Sequence, residues 1–104
     1  MSNLEEALNN GEFVTTAELN PPKGINLDTL LEKANLLKDF ITAFNLTDSY
    51  TAKMSMAPIA AARVLLDQGV ESILQLTCRD RNRIALQGDL LGASALGLSN
   101  VVCM

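Results

Sequence analysis

The chain contains no histidine and no tryptophan. Without histidine it cannot build a Ser-His or Cys-His nucleophile, and most zinc sites are closed to it. One tyrosine and three phenylalanines are too few for a stacking platform that holds single-stranded nucleic acid. Cysteine is nearly absent too. Cys78 and Cys103 form no CxxC pair, and two isolated cysteines of this kind are expected to pack as small hydrophobes. Long apolar runs are missing: none approaches the roughly 18 residues that span a bilayer. The first residues, Met1-Ser2-Asn3-Leu4-Glu5-Glu6, carry neither the basic nor the apolar region of a signal peptide. A cytoplasmic setting without a membrane partner is therefore expected.

Positive charge is scarce as well. Eight Lys and Arg stand against twelve Asp and Glu, a net charge of −4. Phosphate neutralisation needs clustered bases, so nucleic acid is not an expected partner. The one basic cluster, Arg79, Arg81 and Arg83, is interrupted by Asp80. It reads first as a solvated loop and helix start, with anion binding as the alternative.

What is present is an alternation of strand-like and helix-like segments at a spacing of roughly 30 residues, the size of a βα unit. A short helix in residues 1–11 is stopped by Asn10-Gly11. Residues 13–19 are β-rich and end at Pro21-Pro22, which cannot donate to a ladder. A helix follows from about Leu27, with Leu30, Leu31, Ala34 and Leu37 at helical spacing. Residues 41–47 form a second strand, and 48–55 a polar loop. Ser55 is expected to cap a helix with Pro58 in its first turn, ending at Gly69. A third strand spans 71–77. Asp80 or Asn82 caps the next helix, which ends at Gly97, and residues 100–104 begin a fourth strand.

Such alternation with short loops makes a parallel sheet, either doubly wound or closed as a barrel. Side-chain parity separates the two. Alternate residues of a strand face opposite sides. One parity holds Ala17 and Leu19, Phe44 and Leu46, Leu74 and Leu76; the other holds Thr16 and Glu18, Asn45 and Thr47, Gln75 and Thr77. A polar face within a parallel sheet is unusual, because both faces are normally covered by helices. Buried polar groups must be satisfied. Either they bond one another inside a barrel, or they line a ligand site at its C-terminal mouth, where (β/α)₈ enzymes place their chemistry. The expected fold is α/β with parallel βα repeats: the first half of a (β/α)₈ TIM barrel, with about four strands and three to four helices. Residues 1–104 form one partial domain, truncated at the fourth strand.

Other motifs mislead. Gly88, Gly92 and Gly97 have the wrong spacing and position for a dinucleotide fingerprint. Met54-Ser55-Met56 reads as packing at a helix start, and no metal site is expected.

Three segments, taken in order, are distinctive. Ala17-Glu18-Leu19-Asn20-Pro21-Pro22-Lys23-Gly24 resembles the first-strand motif of methylenetetrahydrofolate reductases. Phe44-Asn45-Leu46-Thr47-Asp48 resembles their second-strand segment. Gln75-Leu76-Thr77-Cys78-Arg79-Asp80-Arg81-Asn82-Arg83 resembles their third-strand motif. The resemblance implies a flavoprotein oxidoreductase of one-carbon and methionine metabolism. In that family FAD, reduced by NAD(P)H, passes a hydride to 5,10-methylenetetrahydrofolate and yields the 5-methyl product. It further implies that Glu18 is the catalytic general acid, and that Thr47, Asp48 and Gln75 lie against the cofactor; Thr77 joins them on the polar parity. A desolvated carboxyl at the mouth would have the raised pKa that a general acid needs.

The sequence departs from the family pattern at three places. Leu19-Asn20 stands for an aromatic pair, Asp48-Ser49 for an aromatic-glycine step, and Gln75 for histidine. An acidic Asp48 close to a flavin phosphate or an anionic ring would be repulsive, so flavin contacts on this side are expected to differ. A folate- or pterin-binding or methyl-transfer module without flavin, and a non-catalytic half-barrel, are the alternatives. Four strands leave open edges, and open apolar edges pair with something. The isolated chain is thus expected to be inactive as an enzyme and to self-associate, as a homo-oligomer or through its sheet edges.

Overall fold

A computed structural model describes residues 1–103. A short helix α1 (Asn3–Asn9) precedes β1 (Thr16–Leu19), α2 (Asp28–Leu37), β2 (Ala43–Leu46), α3 (Pro58–Asp67), β3 (Ser72–Gln75), α4 (Arg83–Ala95) and β4 (Val101–Val102). The four strands form one parallel sheet in the order β1-β2-β3-β4. Neighbours in sequence are neighbours in the sheet, with no reversal of order. A doubly wound sheet needs such a reversal, and a barrel does not.

The register fixes the two faces. Ala17 lies opposite Phe44, and Phe44 opposite Ser72; Leu19, Leu46, Leu74 and Val101 form a second row on the same side. Leu19, Phe44, Leu46 and Leu74 are buried with Leu30 and Ala34 of α2, Ala61, Ala62 and Leu65 of α3, and Ala93 of α4. All three long helices thus cover one face. Small residues on α3, Ala61 and Ala62, let that helix sit close to the strands. Glu18 and Asn45 pair in register on the other face, which no helix covers. This is the layout of half a (β/α)₈ barrel: helices outside, a polar-lined interior inside.

Local chemistry sets the element ends. Asn82 is the N-cap of α4, its Oδ1 accepting the Ala85 N–H at 2.9 Å. Gly69 and Gly97 follow α3 and α4 with φ of +76° and +82°, the left-handed C′ conformation that glycine adopts without a Cβ clash. Ser55 does not cap α3. The cap position is Ala57, which makes no side-chain bond, and the Ser55 hydroxyl is buried without a partner. The strands are shorter than the β-rich runs. Phe13, at 96% exposure, lies outside β1, because pairing begins only at Thr16 opposite Ala43. Upstream of that point the neighbouring backbone is still in the turn that closes α2, with the Ile41 N–H bonded to the Leu37 carbonyl. Met104, expected in the fourth strand, lies outside the described residues. Both cysteines are exposed rather than packed: Cys78 follows β3 into a loop, and Cys103 follows β4 at the sheet edge.

Helix α1 closes the opposite end of the sheet. The Asn3 and Leu4 N–H groups donate to the Glu71 carboxylate at 2.8 and 3.0 Å, and the Ser2 hydroxyl donates to Asn100 Oδ1 at 2.8 Å. A carboxylate at a helix N-terminus satisfies orphan donors and complements the helix dipole. Among the described residues no helix is long and apolar enough to cross a membrane.

Candidate functional site

In a parallel sheet all strand C-termini lie at one end, so the loops after β1, β2 and β3 converge there. Each strand delivers polar side chains to the uncovered face. Glu18 is the penultimate residue of β1, Asn45 sits opposite it, and Thr47 and Gln75 return to the same face two residues beyond Asn45 and Ile73. Thr47, Asp48, Gln75 and Thr77 come together around one cleft of about 180 Å³, with Tyr50 and Arg79 at its border. Glu18 lies outside that cleft. It borders a separate one of about 240 Å³ between the end of β1 and α2, with Asn20, Asn26, Thr29 and Lys33.

Thr47, in the first cleft, is tied to Asn20 of the second. It is only 3% exposed, and its hydroxyl donates to Asn20 Oδ1 at 2.7 Å. Its backbone N–H donates to the Leu19 carbonyl at 3.2 Å, extending the β1–β2 ladder by one bond. The Glu18 carboxylate is exposed and makes no hydrogen bond among the described residues. Four strands therefore leave it in water, and the desolvation expected of a general acid would have to come from whatever covers the inner face.

Asp48 is held firmly. Its Oδ2 accepts the Thr77 N–H at 2.8 Å and forms an ion pair with Arg81. Arg81 also donates to the Thr77 carbonyl at 2.9 Å and to Asp89 of α4 at 2.7 Å. One guanidinium thus joins the loop after β2, the loop after β3 and the first half of α4. The Asp48 hydrogen bond, with support from Asp89, raises the Arg81 pKa above its ordinary value against the opposing effect of partial burial. The neighbouring Arg79 donates to the Ser49 carbonyl at 3.2 Å and pairs with Asp80. The Arg79 hydrogen bond holds the Asp80 carboxyl below the ordinary carboxylate range. The basic cluster is therefore mostly internal glue: two of its three arginines carry their own carboxylates.

Two members of this site escaped sequence reasoning. Asn20 shares the parity of Glu18, and that signal was available. Arg81 gave no such signal, because its partners are 33 and 8 residues away and no local periodicity connects them. Among the described residues no group of three metal-ligating side chains gathers.

Parallel βα units in sequence order, helices on a single face and a polar cleft at the strand C-termini define a half-barrel α/β domain. The family model for methylenetetrahydrofolate reductase matches residues 3–104. The chain belongs to that family, a family of folate-related oxidoreductases. A comparison with curated proteins gave no match.

Proposed function

We propose that this chain supplies the first half of the barrel of a flavin-dependent reductase acting on 5,10-methylenetetrahydrofolate, with NAD(P)H as the reductant. The observation that carries the reading is the shared cleft of Thr47, Asp48, Gln75 and Thr77 at the strand C-termini.

The residues suit a flavin. The Gln75 amide and the Thr77 hydroxyl offer donors and acceptors for the heteroatom edge of the ring, and the Thr47 hydroxyl, which donates to Asn20, keeps an acceptor lone pair. Arg81 offsets the charge of Asp48, so the cleft does not present a bare anion to a phosphate or to an anionic ring. When bound, FAD supplies the hydride that the folate methylene carbon receives. Gln75, Thr47 and Thr77 orient the ligands, and Glu18 delivers a proton to the folate nitrogen as the imidazolidine ring opens. In this role the ligand and further strands would cover Glu18. Those strands come from the rest of the polypeptide or from a second copy, and the chain alone self-associates and is inactive. The cytoplasm is the compartment that fits this chemistry.

A flavin-free folate- or pterin-binding module is the second reading. It is favoured by Gln75, which stands where the family pattern has histidine, and by Leu19-Asn20 and Asp48-Ser49, which stand where that pattern has aromatic residues. Flavin absorbance of the complete protein separates the two readings. The test of mechanism is Glu18→Gln: flavin reduction by NAD(P)H persists while folate reduction collapses. Unchanged folate turnover would remove Glu18 from the mechanism.

A further inference from the structure

Pairing between β2 and β3 ends with Leu46 opposite Leu74. Beyond that point side chains hold the two loops of the cofactor cleft together. Thr77 is gripped at three atoms. Its N–H donates to Asp48 Oδ2 at 2.8 Å, its carbonyl accepts from Arg81 Nη1 at 2.9 Å, and its hydroxyl oxygen accepts the Arg79 N–H at 3.2 Å. Asp48 is gripped at a single atom, since the Thr77 N–H and the Arg81 guanidinium both meet Oδ2. Thr77 and Asp48 line the cleft, and Arg81 does not.

This bonding leaves one polar function open on each loop. A hydroxyl that accepts a bond still has its own proton to give, so Thr77 offers the cleft a donor. Asp48 Oδ1 takes no bond from the described residues and offers an acceptor. Arg81 holds both in place. Its Nη1 bridges Asp48 and the Thr77 carbonyl, while its Nε donates to Asp89 of α4 at 2.7 Å. Bonds at two corners of one rigid plane fix where the guanidinium lies. A lysine ammonium is a single nitrogen on a flexible stem, and it could not bridge the loops and stay anchored to α4. The guanidinium also offsets the Asp48 charge at a place largely out of water, with the two side chains at 15% and 8% exposure. Charges there act on their neighbours more strongly than in bulk solvent.

We propose that Arg81 is a positioning residue of this cleft. It acts at one remove, through Asp48 and Thr77. It holds an acceptor and a donor at fixed places and cancels the carboxylate charge that the ligand would otherwise meet. The assignment rests on the flavin reading above. A ring that gains negative charge on reduction is harder to reduce beside an unopposed Asp48. Arg81 therefore keeps the flavin potential from falling, as well as keeping the mouth in shape.

Two measurements test this, one on the chain and one on the complete protein with FAD bound. In the chain, amide hydrogen exchange is followed by NMR. Arg81→Lys should speed exchange at the Thr77 amide roughly tenfold, the scale of one charge-assisted hydrogen bond, and leave the Leu46 and Leu74 amides as they were. Unaltered Thr77 exchange overturns the proposal. In the complete protein the flavin midpoint potential is measured. Arg81→Gln should lower it, and adding Asp48→Asn should bring it back, because the unopposed charge is gone. A strut with a structural role alone would cost stability without moving the potential. An unmoved potential in folded Arg81→Gln therefore overturns the proposal, and so does a double variant as low as the single. Should Arg81→Gln fail to fold, Arg81→Lys keeps the charge and decides on affinity: FAD binding should weaken about tenfold, and equal binding overturns the proposal. A complete protein that holds no flavin sinks the reductase reading and this assignment with it, whereas bound flavin that ignores Arg81 sinks this assignment alone.

Discussion

Arg81 reaches across from the loop after β3 to pair with Asp48 of the loop after β2, both side chains largely buried at 15% and 8% exposure. Removing one partner strands a charge that the fold has taken out of water. Arg81→Met is expected to cost about 3 kcal/mol in urea denaturation. Asp48→Asn in the same background should return a large part of that loss, since the stranded anion is gone. A double variant whose loss equals the sum of the two singles would show that the pair is not energetically coupled.

The core makes a sharper contrast. Leu46 and Leu74 are fully buried in the middle of the helix-covered face, whereas Leu91 of α4 is 74% exposed. Leu74→Ala should destabilise by roughly 2–5 kcal/mol through lost burial and the cavity left behind. Leu91→Ala should stay within about 0.5 kcal/mol. Similar midpoints for the two variants would mean that the helices do not pack on the Leu19, Leu46, Leu74 row.

Exposed apolar side chains are distributed unevenly among the long helices. Leu36 and Leu37 lie on α2, and Ile84, Leu90 and Leu91 on α4, while α3 between them has no large exposed hydrophobe. The two flanking helices therefore carry apolar surface of the kind that marks an interaction site. Sedimentation velocity should show self-association that rises with concentration, and Leu36→Glu or Leu91→Glu should reduce it. A single monomeric boundary across a hundredfold concentration range would contradict this.

Asp80 should titrate below its ordinary value of about 3.9, because Arg79 donates to it. The sign follows from linkage. A depressed carboxyl adds stability above its unfolded pKa, and that contribution disappears as pH falls through the folded value. Side-chain carboxyl NMR of Asp80 should move back to the ordinary midpoint in Arg79→Gln. An unchanged midpoint in that variant would show that the pair does not form in solution.

The polar inner face was legible because strand parity is local: Glu18, Asn45 and Gln75 can be placed on one side by counting in twos. Asn82 as a cap and Gly69 and Gly97 as C′ residues were legible for the same reason, each being decided by a few neighbours. The Ser55 cap was not, because proline at the first helical position moved the cap to Ala57. The cysteines also defied composition, since burial depends on where the sheet edge and the loop fall. Least legible was the engagement of Asp48. Its identity signalled repulsion of an anion, and only the tertiary fold brings Arg81 to it from 33 positions away.

The bonds from α1 to Glu71 and Asn100 span 67 to 98 positions of the chain, whereas each strand pairs only with its sequence neighbour. On the ribosome, the βα units can dock one after another as they emerge, each step closing a short loop. Helix α1 emerges before the sheet, yet its docking site is complete only once β3 and the start of β4 have emerged. It must wait as a free segment and then latch, so its amides should be the last to gain protection during refolding.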